Sequence, residues 1–290
     1  MIDNPHPKDW RELQAGVCRL MNEIGLAAET EKLLTTPRGE VEVDVYAVDE
    51  ASVDKIKYIV ECKNWSVAIP QAVVHAFTTV MSETGANIGF LISQKGLQRG
   101  AEKYTYSTNI VGLTYLELQQ RYFDVWWEKY FCRQIGDLAD ETMDFVEPYN
   151  QRRDELVAHL DREKVERFEG LQRCFGTFCM VMTHLNMGRF TNLKEWPDRD
   201  SKLLKSPQSL EEYKTAVLQM WSHFSWERPT NFRELKVMIE EIISEAHQEF
   251  KLVFGGTINE VYERRRAAQP ERAVLASRGV QIDDEVYPND

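Results

Sequence analysis

Along this chain the spacing of apolar residues changes period, and the changes mark its elements. From Asp9, the residues Trp10, Leu13, Val17, Leu20, Met21 and Ile24 recur on one helical face, with Asp9 placed to cap that helix and Gly25 to end it. A short strand over 27–34 then leads into the turn signal Thr36-Pro37-Arg38-Gly39. Two runs of period two follow, Glu40-Val41-Glu42-Val43-Asp44-Val45-Tyr46 and Tyr58-Ile59-Val60-Glu61-Cys62-Lys63, and both predict strands. Pro70 is suited to a helix start, and Val73, Val74, Phe77, Val80 and Met81 mark a helix over 71–84. Ile88-Gly89-Phe90-Leu91-Ile92-Ser93 is continuously apolar, as a central strand covered on both faces must be. A helix over 97–106, a strand over 110–114 and an aromatic helix over 116–132 complete an α/β order with crossover connections.

Beyond this point only helical spacing remains, over 150–186, 210–224, 231–254 and 257–266. The expected organisation is a domain over 1–135, a polar acidic linker over 136–148, an all-α domain over 149–268 and a flexible tail over 269–290. The five scattered cysteines (Cys18, Cys62, Cys132, Cys174 and Cys179) predict reduced thiols rather than a disulfide frame, and the spacing of Cys174, Cys179 and His184 fits no common zinc finger. No apolar run reaches the roughly 20 residues needed to cross a bilayer, and the start of the chain lacks a secretory pattern, so a cytoplasmic protein without membrane contact is expected.

A net charge of −12 opposes tight non-specific binding to nucleic acid. The imbalance is smaller in the first part, where 14 basic residues face 18 acidic ones over 1–135, against 21 and 29 over 136–290. That first part also carries the candidate chemistry. Strand alternation turns Glu61 and Lys63 to one side and Val60 and Cys62 to the other, while Asp44 shares its face with Glu42 and Tyr46. If the two strands are neighbours, two carboxylates and an ammonium meet. The plainer explanation is a solvent-facing sheet surface with cross-strand ion pairs.

The order of parts resembles the Mrr-like branch of the PD-(D/E)xK restriction-endonuclease superfamily: helix Trp10-Arg11-Glu12-Leu13, then Arg38-Gly39-Glu40-Val41-Glu42-Val43-Asp44-Val45, then Val60-Glu61-Cys62-Lys63-Asn64-Trp65, a helix with Gln71 and Phe77, and Gly89-Phe90-Leu91-Ile92-Ser93. The resemblance spans roughly 9–118. It implies a restriction-endonuclease-like mixed sheet flanked by helices, followed by the second, all-α domain, and a Mg²⁺-dependent endonuclease acting on DNA, with Mn²⁺ as a substitute. Asp44, Glu61 and the backbone carbonyl of Cys62 look like the metal ligands and Lys63 like the catalytic lysine, orienting or deprotonating a water. Glu12 matches the helical Glu of such sites, with Glu23 as the other choice, and Gln71 matches the downstream Gln. Several relatives carry an Asp just ahead of the metal Asp, where this chain has Glu40 and Glu42.

Lys95, Arg99 and Lys103, at i, i+4 and i+8 of the expected helix, form a candidate row for nucleic-acid phosphates or else a solvated face. His75 reads as structural. Phe190, Trp196, Trp221, Phe224, Trp226 and Phe232 read as helical core before base-stacking platforms, and Arg264-Arg265-Arg266 as a basic run closing a helix. The resemblance further implies prokaryotic restriction or anti-phage defence and a homodimer or higher oligomer; the aromatic helix over 116–132 is the expected mating surface, and the all-α domain is expected to serve partner-protein binding, self-association or target selection. The rival readings are an inactive nuclease-fold module for assembly or nucleic-acid binding, and an RNase or structure-specific resolvase.

Overall fold

The computed structural model describes residues 1–189 and 205–277, which fall into two compact units. The first comprises Met1–Phe131 together with Ser206–Gln219 and Ser225–Glu234. It is built on a five-stranded mixed sheet in the order β1 (Ala27–Thr36), β2 (Gly39–Val48), β3 (Lys57–Lys63), β4 (Ile88–Ser93), β5 (Ile110–Thr114). β1, β2 and β3 run antiparallel to their neighbours, as the short turns between them require, whereas β3, β4 and β5 are parallel because helices carry the chain across.

Those helices cover both faces. α1 (Trp10–Glu23) and α4 (Tyr115–Trp126) lie over the face carrying Val60 and Phe90, and α2 (Gln71–Thr84) and α3 (Arg99–Thr105) over the face carrying Ile59 and Leu91. Covered on both sides, Phe90, Leu91 and Ile92 are fully buried, which is why β4 shows no polar alternation. Asp9 caps α1 through its carboxylate, which accepts from the Glu12 N–H at 2.9 Å, and Gly25 ends it at φ +97°, where a side chain would be strained. Gly16 lets the helices close up, since a Cβ there would come within 2.5 Å of the Tyr115 hydroxyl.

Three expectations change here. α3 begins at Arg99 rather than at 97, because Leu97 forms a parallel bridge with Ile69. The aromatic helix is not a free surface: Trp126, Trp127 and Phe131 are buried, and Trp127 and Phe131 meet Tyr213 and Phe232 from the returning segments. Those segments belong to the sheet-containing unit, so its boundary is not a single cut near 135. Arg233 anchors one of them, pairing with Glu23 at 2.6 Å and with Asp3 at 3.2 Å.

The second unit comprises Cys132–Lys205, Met220–Phe224 and Leu235–Asp290, and its described residues are helical or in turns. α4 passes through a π-helical turn, Trp127–Phe131, into α5 (Cys132–Asp140), followed by α6 (Met143–Val146), α7 (Gln151–Val157), α8 (Arg162–Leu171) and α9 (Thr177–Thr183). The stretch expected as a linker is thus folded. Its polar composition conceals an inward set, Ile135, Gly136, Ala139, Thr142 and Phe145, all buried. α10 (Leu210–Ala216) belongs to the first unit; in the second, α11 (Phe232–Phe254) supplies Phe250 and Phe254, which pack against Phe145 and Phe168. α12 (Ile258–Ser277) continues past Arg266, so the three arginines lie within a helix instead of closing it. It also extends into the stretch expected as a flexible tail, whose residues 278–290 lie outside the described ones. Trp221 and Trp226 are buried, as core aromatics should be, while Phe190 and Trp196 lie outside the described residues.

Candidate active site

β2 and β3 are paired from Val48 opposite Lys57 to Val45 opposite Val60. One step beyond the last pair stand Asp44 and Glu61, and Lys63 follows two residues later on the same face as Glu61. Asp44 stays close to β3: its carboxylate accepts from the Cys62 N–H at 2.6 Å, and Gln14 on α1 donates to its carbonyl at 2.5 Å. Glu61 and Lys63 form an ion pair, with side chains 25% and 26% exposed. The three groups are therefore neighbours, half-buried at the end of the paired region.

Their titration reflects crowding. Burial, reinforced by the nearby charge of Asp44, pushes the Glu61 carboxyl above its usual range, although Lys63 works against this. Burial opposes the Lys63 ammonium, but its bond to Glu61 and the charges of Glu61 and Asp44 outweigh that and raise its pKa. Cys62 is buried on the opposite face, where burial and the same carboxylates hold its thiol neutral. It can approach the site only through its backbone.

Other candidates are placed differently. Glu12 is exposed, and its carboxylate accepts from the Lys8 N–H at 2.6 Å, so it completes the cap of α1. Glu23 accepts from Trp126 Nε1 at 2.6 Å and pairs with Arg233, which commits it to structure. The α1 side chain that does reach Asp44 is Gln14, only 4% exposed. Its signal in the sequence is a lone amide flanked by the core residues Leu13 and Val17. Gln71 sits in the first turn of α2, 3.2 Å from His75, whose ring lies 4.6 Å from that of Tyr104. Arg99 and Lys103 are exposed on α3, whereas Lys95 belongs to the turn before it, so the three do not form one helical row.

Asp44 and Glu61 supply hard oxygen donors, and no cluster of three or more His, Cys, Asp or Glu side chains suited to a metal occurs among the described residues. Two carboxylates fit magnesium, which keeps several waters and takes further ligands from substrate phosphates. The donor set is poor for zinc, which prefers nitrogen and sulfur.

A family model of restriction endonucleases, Mrr_cat, matches residues 7–121. Residues 7–121 are thus similar to a Mrr-type restriction-endonuclease domain. The matched segment contains the sheet, its covering helices and the acid-bearing strands, while the helical unit lies outside the match. No curated protein matches the chain. A crystal structure of a protein of unknown function, AF1548, aligns with 86% of this chain and 100% of its own, at 13% identity and a TM-score of 0.34. No helix among the described residues is long and apolar enough to cross a membrane.

Proposed function

We propose that the protein is a divalent-metal-dependent endonuclease that hydrolyses DNA phosphodiester bonds at Asp44, Glu61 and Lys63. The observation that carries this reading is the meeting of two carboxylates with a lysine at the end of β2 and β3, inside the segment that matches a restriction-endonuclease model.

Asp44, Glu61 and the carbonyl of Cys62 would hold the ion. Bound there, Mg²⁺ or Mn²⁺ supplies charge neutralisation at the phosphate and lowers the pKa of water. The residues of the chain do the rest. Gln14 holds the Asp44 carbonyl and the Cys62 N–H its carboxylate, so Asp44 needs little reorganisation to take an ion. Lys63 is held by Glu61 and is positioned to donate to a phosphate oxygen or to orient the attacking water. Because β3 is fastened to the buried β4, the donors start in place and little entropy is lost on reaction. Cutting both strands of a duplex takes two such sites, so the reading includes assembly of two copies; the resemblance to restriction endonucleases adds a role in restriction or phage defence.

Incubation with supercoiled, linear, single-stranded and branched DNA and with RNA, in Mg²⁺ or EDTA, tests it. Nicking or linearisation of DNA in Mg²⁺ only is expected. Metal-independent cutting, or cutting of RNA alone, contradicts it.

A further inference from the structure

Immediately after Lys63 the chain reverses. The Trp65 N–H donates to the Lys63 carbonyl at 2.7 Å, a three-residue turn that sets the indole beside the lysine, with its ring centre 5.9 Å from Nζ. The loop that follows is pinned at both ends. Gln94, at the end of β4, donates to the Asn64 side chain at 2.8 Å, and Ile69 joins the β4–α3 turn through Ile69 N–H to Gly96 and Gln98 N–H to Ile69, each at 2.9 Å. Between these pins Trp65 is 40% exposed and Val67 62% exposed. This held apolar arch is left in water beside a charged site.

Given the nuclease reading above, on which this rests, we infer that Trp65 is a stacking platform for an unpaired nucleobase next to the scissile phosphate. A phosphate drawn to Lys63 lies within one nucleotide's reach of the indole. Exposed Lys95, on the turn that pins the arch, offers positive charge to the adjoining backbone. An indole face accepts any base, so the platform favours locally unstacked strands rather than a particular sequence. Lys63 already lies toward the ring, which leaves Trp65 oriented before substrate arrives.

The test is fluorescence anisotropy of the full chain with labelled oligothymidylate, an abasic oligonucleotide of equal length, and duplex DNA, in Ca²⁺ to hold cleavage in check. Trp65→Ala is expected to weaken oligothymidylate binding about tenfold and abasic binding little, with Trp65→Phe within about twofold of wild type. Circular dichroism of each variant confirms the fold. The inference is overturned if wild type does not bind oligothymidylate, if it binds the abasic strand equally well, or if Trp65→Ala binds like wild type and loses only cleavage rate, which would make Trp65 a clamp on Lys63. Because binding is read without cutting, the two readings fail separately. Trp65-dependent binding with no Mg²⁺-dependent cleavage sinks the nuclease alone, and cleavage with Trp65-independent binding sinks the platform alone.

Discussion

The two units use their buried polar groups differently. In the sheet-containing unit, half-buried Asp44, Glu61 and Lys63 are concentrated at one end of two strands, where desolvation costs stability and raises the Glu61 pKa. In the helical unit the buried polar groups serve the fold. Thr142, in the turn after α5, bonds back to the Ala139 carbonyl of that helix and Thr183 to the Cys179 carbonyl within α9, Arg153 caps the Phe145 and Glu147 carbonyls, and the interior is aromatic, with Phe145 stacked on Phe250 at 5.2 Å and Phe178 edge-on to Trp221 at 5.2 Å. Crowded charge without structural purpose is therefore the better guide to chemistry here, and substitutions in the two units should separate activity from stability.

The sharpest separation is expected at the charged cluster of β2 and β3. Asp44→Ala or Lys63→Ala should lower cleavage of supercoiled plasmid in Mg²⁺ at least about a thousandfold, with unchanged circular dichroism. Retained cutting would break the comparison. The converse is Phe178→Ala, which should cost about 3–5 kcal/mol of stability by urea denaturation and leave the rate per folded molecule unchanged. Gly136→Ala comes next. A Cβ there would sit 2.6 Å from the Asn186 backbone nitrogen, so about 1–3 kcal/mol should be lost, again without a change in rate.

The smallest effect concerns pH. Burial pushes the Cys179 thiol up to about 11, from an ordinary value of 9.0. A raised pKa in the folded state leaves stability intact below pH 9, and stability falls as pH rises from there toward 11, because the unfolded chain ionises first. Cys179→Ala should flatten this alkaline decline in melting temperature, whatever its effect at pH 7.

Much of the sheet-containing unit was legible because its signals are local. The limits of α2, β4 and β5 follow from Pro70, Gly85, Gly96 and the apolar runs between them. The pairing of Asp44 with β3 follows from strand alternation once the strands adjoin. What stayed hidden depends on distant partners. Gln14 looks like any helical amide until Asp44 is placed above it, and nothing in the residues near Glu12 marks its bond to the Lys8 N–H. The helices over 132–146 were obscured by acidic surface positions around a sparse buried set, and the return of Tyr213 and Phe232 to the Trp127 cluster has no trace in nearby residues. A linker and a mating surface were expected in their place.

Whether Asp44 and Glu61 share one ion is measured most directly by counting bound Mn²⁺ with electron paramagnetic resonance, in wild type, Asp44→Ala and Glu61→Ala. One bound ion is expected in wild type, and both substitutions should remove it while the fold persists. Equal uptake by all three proteins, or none by wild type, would contradict it.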